Sequence, residues 1–175
     1  NEQVTQYYVV SLIGKTLVLL IAPINTIVIS YLTKRKERLT RSQFGKAVLA
    51  GGGVSLVFFV ACQIGTPLFV WLFYRNLYES VKGIVTVVNL AQILGLFSAF
   101  LFILVLTFTD ERWQLWIQLA HFCILLVSSV LAARTYGMMG FAVASLGANS
   151  LRVAAVVILG IVKAGKDKGD RNADR

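Results

Sequence analysis

Two cations, Lys15 and Arg152, lie inside long apolar runs that contain no Asp or Glu to pair with them. In hydrocarbon an unpaired charge is expensive, so such a residue turns to water, to backbone carbonyls or to an anionic ligand, or extends its head group to the nearest interface. Arg152 stands about ten residues, roughly 15 Å by helix rise, from the end of its run, which is far for snorkelling. Lys15 is about two turns from the start of its run, where its stem can carry the ammonium outward. Polar neighbours recur at helical spacing around both. Ser145, Asn149 and Arg152 share one face, and Ser11, Lys15, Ala22 and Asn25 share another. Further stripes comprise Gln114, Gln118, His121 and Ser128, and Asn89 with Gln92. Rows of this kind point at a bundle interior or a water-filled cavity, because a polar row facing lipid is costly. The candidate binding residues are therefore Arg152, Lys15, Asn149 and Asn25, and the chemistry they suit is electrostatic handling of an anion.

Covalent chemistry has little to stand on. All eight acids lie at loops, tails or run ends, so no acid–base pair is placed inside an apolar run. His121 has no Cys, Asp or second His near it in sequence, which favours a hydrogen-bonded packing role over metal binding. Cys62 and Cys123 fall in mid-run and read as small apolar side chains. The expectation is a protein that is not an enzyme and has no metal and no cofactor.

The elements that must position these residues follow from composition. With 57% hydrophobic and 14% charged residues, the 175-residue chain lies outside the soluble globular range. Residues 47–74 hold 28 positions without a charge, 83–109 hold 27 and 113–133 hold 21. Each exceeds the ~20 residues that a helix needs to cross a bilayer. Two more runs qualify if Lys15 and Arg152 are accepted. The expected architecture is an all-α integral membrane protein with five transmembrane helices, at about 7–33, 44–74, 82–109, 113–134 and 138–163. Together they form one lobe over residues 1–163, followed by a polar cytoplasmic tail at 164–175. Pro23 and Pro67 mark expected helix kinks, since proline has no N–H for the carbonyl four residues back. Ser42 is the expected N-cap of the second helix. The segment TYGMMG is the expected short turn between antiparallel fourth and fifth helices.

Charge fixes an expected orientation. Six cations lie between Lys34 and Lys46, one is Arg112, and five run from Lys163 to Arg175, against Arg75, Lys82 and Arg134 in the alternate connections. That asymmetry follows the positive-inside rule and places the N-terminus outside and the C-terminus in the cytoplasm. The basic segments then meet membrane lipid head groups, not nucleic acid. An outside N-terminus with no signal-like segment at Asn1–Tyr8 leads to the expectation that at least one helix precedes this stretch.

Several segments in order also resemble a known family. They are IAPIN in the first run with a basic loop ending in FGKA, GTPLFVWLFYRNLYES at the end of the second, the TDERWQLWIQLA junction, and YGMMGFAVASLGANSLR leading into the last. In this order the chain resembles the C-terminal half of polysaccharide or O-antigen flippases of the multidrug/oligosaccharidyl-lipid/polysaccharide exporter superfamily. The resemblance implies two six-helix lobes around a central cavity. It also implies movement of an undecaprenyl-pyrophosphate-linked oligosaccharide across the inner membrane by alternating access. On this footing Lys15 and Arg152 would face the lipid pyrophosphate, and the partner would be an N-terminal lobe of the same protein. A cation-coupled multidrug exporter of the same fold would need a buried carboxylate, which these runs lack. A non-transporting accessory membrane protein is the other alternative.

Overall fold

The computed structural model of the chain describes residues 2–34, 39–106 and 108–164, and these are helical with no strand. Residues 35–38 of the basic loop, Thr107 and the expected tail beyond Ala164 lie outside the described residues. The helices are α1 (Glu2–Lys34), α2 (Arg41–Phe73), α3 (Arg75–Val81), α4 (Val85–Leu106) and α5 (Glu111–Lys163). Among the described residues, Arg41–Phe73, Val85–Leu106 and Arg112–Lys163 are long and apolar enough to cross a membrane by length and composition. The stretch Val4–Leu19 of α1 is a shorter apolar helix.

Helix ends depart from the expected bounds for local reasons. The cap of α2 is Thr40, not Ser42: its hydroxyl accepts from the Gln43 backbone N–H at 3.3 Å, while the Gln43 side chain accepts from the Thr40 N–H at 3.0 Å. Thr-Arg-Ser-Gln is the spacing of a capping box, which satisfies two orphan donors reciprocally. The helix consequently starts three residues earlier than expected. At its far end Tyr74 leaves helical geometry with φ −133°, and the connection that follows folds into the separate short helix α3. Glu79 and Lys82 form an ion pair of 2.5 Å there, and the carboxylate holds the Lys82 pKa above its ordinary value.

The long α5 is a reversal rather than a rod. Gly137, at φ 59° and ψ −140°, interrupts it between arms 111–136 and 138–163. In a straight helix His121 and Asn149, 28 residues apart, would be separated by ~42 Å. Their side chains instead meet at 3.2 Å. The arms are therefore antiparallel neighbours, and the turn expected over 135–140 is concentrated at one residue. Gly140 lies against the Ala132 carbonyl of the other arm, where any Cβ would overlap backbone.

α4 is the post of the bundle. It is predominantly apolar, as befits a helix packed among others, though it carries Asn89 and Gln92, and it packs against α1, α2 and α5. One apolar cluster, around Phe44, Leu101, Val105, Phe108 and Val156, gathers the start of α2, the end of α4 and the end of α5. A second, around Val10, Val70, Val81, Val88 and Ala142, gathers the start of α1, the end of α2 and the starts of α4 and of the second α5 arm. Successive long segments thus run in alternate directions between two ends. The basic residues Arg41, Arg112 and Lys163 lie at the first end.

Candidate functional site

The polar residues inside the bundle converge on α4 and clamp its neighbours to it. Asn89 is 1% exposed and works as a three-way connector to α2. Its amide nitrogen donates to the Cys62 carbonyl at 3.1 Å and to the Gln63 side chain at 3.0 Å, while its oxygen accepts from the Thr66 hydroxyl at 3.2 Å. Gln63 continues to Thr86 at 2.9 Å. The clamp sits immediately before Pro67, whose missing N–H leaves the Gln63 carbonyl without its helical donor. Gln92, three residues along α4, turns to α1 instead. Its amide nitrogen donates to the Ser11 carbonyl at 3.3 Å and its side chain lies directly on Gly14.

The second α5 arm is held in the same way. Asn149 donates to the Ala91 carbonyl of α4 at 2.8 Å, and its oxygen faces His121 of the first arm. One side chain therefore joins α4 and both arms of α5. Gly95 on α4 gives Asn149 room, with the amide 3.4 Å from where a Cβ would stand.

Arg152 lies one turn beyond Asn149, partly buried, with its guanidinium 5.3 Å from the centroid of the Phe102 ring. Its Nε is buried and has no hydrogen-bond partner. Phe102 in turn lines a cavity of about 580 Å³ at the basic end of the bundle, together with Leu106, Arg112, Gln114, Leu115 and Gln118. Lys15 is exposed, and its ammonium lies 4.4 Å over the Tyr8 ring, directed back toward the start of α1. Asn25 is on the wall of a different, apolar cavity of about 300 Å³ between α1, α2 and α4, opposite Gly51, Ser55 and Phe97. Pro23 and Pro67 lie within helices that continue to Lys34 and Phe73.

The four candidate binding residues are thus distributed rather than gathered. Arg152 and Asn149 belong to the α4–α5 seam, Asn25 to the α1–α2–α4 cavity, and Lys15 to an exposed position on α1. Sequence spacing located the polar faces but not their partners. Gly14 and Gly160 escaped notice altogether, although Gly160 carries the Phe44 ring directly on its backbone and so joins α2 to α5. A lone glycine within an apolar run was the available signal. Arg41 is a further unforeseen contact, donating through Nε to the Ala164 carbonyl at 3.2 Å and so capping the end of α5. Comparison with family models, curated proteins and solved structures gave no match to this chain.

Proposed function

We propose that the chain forms most of the C-terminal lobe, with five crossings, of a two-lobe membrane transporter that flips an undecaprenyl-pyrophosphate-linked oligosaccharide across the inner membrane, with no covalent chemistry. On this reading α1, α2, α4 and the two arms of α5 each cross the bilayer, and α3 lies at the outer interface. The exposed apolar faces of α2 and α5, with Leu56, Val57, Leu119 and Leu131 at half exposure or near it and above, then meet lipid or a second lobe. Orientation follows the cations, with Arg41, Arg112 and Lys163 at the cytoplasmic end.

The observation that carries the reading is Arg152. It is a guanidinium within an apolar helix, set against an aromatic ring, with a buried Nε that no acceptor reaches. Such a group is expensive to keep in a membrane interior and is suited to a diphosphate that arrives from elsewhere. Alternating access would move the lobe as a body about that site. The clamps of Asn89, Gln92 and Asn149 fit a lobe that holds its shape while it moves.

The test is Arg152→Ala and Arg152→Lys in the intact protein, with surface polysaccharide display and membrane abundance measured together. Loss of display in the alanine variant at normal abundance supports the reading. Normal display in the alanine variant removes Arg152 from the transport role.

A further inference from the structure

The cavity at the basic end has a composition that the transport reading does not use. It lies where α4 ends and the first arm of α5 begins, with Phe102 and Leu106 on one wall and Leu115 on the other. Arg112 and Gln118 stand on the first arm, six residues apart, and both are exposed. Among the described residues, no acidic side chain lines it, and Arg112 is the charged side chain on its wall. At the same end of the bundle, the Lys163 ammonium lies 5.8 Å from the centroid of the Trp113 ring, the residue next to Arg112.

That arrangement has polar, cationic groups at one end and aliphatic and aromatic walls at the other. A soluble anion would gain from the cations only. An amphiphile with a phosphate at the boundary between head group and acyl chain would gain from both, because its glycerol and first methylenes would cover Leu106 and Leu115. Arg is the side chain suited to this task, since its planar fork engages two phosphate oxygens at once. Gln118 offers a carboxamide donor to a third oxygen. Trp113 and Trp116, both exposed on the same arm, sit as indoles do at the level of lipid head groups.

We infer that this cavity is a binding site for the phosphate of an anionic glycerophospholipid in the leaflet at the basic end, held by Arg112 and Gln118. The site requires only that the bundle be embedded in a bilayer and is independent of which substrate, if any, the protein moves. Its role is to keep one lipid at the junction of α4 with α5.

The full chain carrying Trp71→Phe, which leaves Trp113 and Trp116 as the fluorophores, is reconstituted into nanodiscs of phosphatidylcholine. Brominated phosphatidylglycerol and brominated phosphatidylcholine are then compared as quenchers. The site predicts preferential quenching by the phosphatidylglycerol, reduced about fivefold in apparent affinity by Arg112→Gln. Gln118→Leu reduces it further, and Arg75→Gln at the opposite end leaves it unchanged. Equal quenching by the two lipids, or an unaltered preference in Arg112→Gln, overturns the site. Relief of the preference by millimolar inorganic phosphate overturns the lipid assignment and makes the site one for a soluble phosphate. Circular dichroism of each variant keeps misfolding separate from loss of binding, and Arg112→Lys, which keeps the charge, should retain part of the preference.

Discussion

At the scale of single residues, the bundle distinguishes polar groups that are consumed by packing from those that are not, which among the described residues include Gln92 Oε1, Ser129 Oγ and Arg152 Nε. Asn89 and Asn149 have their amides occupied on both sides. Interhelical hydrogen bonds in membranes average ~0.6 kcal/mol each and reach ~1.7 kcal/mol. Asn89→Ala should therefore lower stability by about 1–2 kcal/mol, read as a shift in the thermal or detergent unfolding midpoint, because it breaks three bonds at once. Asn149→Ala should loosen the two α5 arms without abolishing the fold, and a variant as stable as the original would show that the amide is not a clamp. Arg152 differs in leaving its Nε unsatisfied beside Phe102. Polar faces of this kind were legible in the sequence, since Asn89 with Gln92 and Asn149 with Arg152 were evident from spacing alone. Their partners were not, because Cys62, Ser11 and Ala91 contribute main-chain carbonyls, and any residue type supplies a carbonyl.

Elements show where local signals decide and where packing does. The start of α2 was encoded in Thr40 and Gln43 as a capping box, a pattern that outranks the neighbouring Ser42. The reversal of α5 was legible as a short glycine-rich turn, but its concentration at Gly137 depends on a backbone geometry that spacing does not reveal. At φ 59° and ψ −140° the residue occupies a region where a Cβ is strained. Gly137→Ala should destabilise the hairpin by about 1–3 kcal/mol, measured by unfolding in detergent. An unchanged midpoint would mean that the turn relocates freely. Gly160 belongs to this scale as well, since the Phe44 ring lies on it and fastens the start of α2 to the end of α5. Gly160→Leu should cost about 1–3 kcal/mol through overpacking, and the double variant with Phe44→Ala should recover part of the loss. Additive losses would argue that the two residues do not meet. The short α3 was missed because residues 75–81 carry too little apolar periodicity to announce a helix, and its end is anchored by the buried Val81 and the Lys82 N–H donating to the Tyr78 carbonyl.

Viewed as a whole, the bundle has two ends and a central post. Its long segments alternate between an end with Arg41, Arg112 and Lys163 and an end with Arg75, Glu79 and Lys82, and α4 is enclosed by the rest. Length and apolar composition were sufficient to read helices from the sequence, since runs of this kind leave the backbone no other way to satisfy its hydrogen bonds in lipid. The candidate site was only partly legible. Arg152 was singled out by its depth, whereas the separation of Asn25 and Lys15 from it arises from how α1 packs on α4, which no local spacing encodes. On the proposed orientation, Asn76→Cys should react with a membrane-impermeant maleimide in intact cells, and Ser42→Cys should react only after the membrane is opened. The reverse pattern would invert the bundle. The central claim is that the intact protein moves a diphosphate-linked lipid by means of Arg152. Its most direct test is reconstitution in sealed vesicles with a fluorescent undecaprenyl-pyrophosphate-linked oligosaccharide, the rate of its appearance in the opposite leaflet being followed by an impermeant quencher. The account predicts flipping that falls about tenfold or more in Arg152→Ala, the scale of losing a charge-assisted contact; flipping at the same rate with and without Arg152, or no faster than in protein-free vesicles, would contradict it.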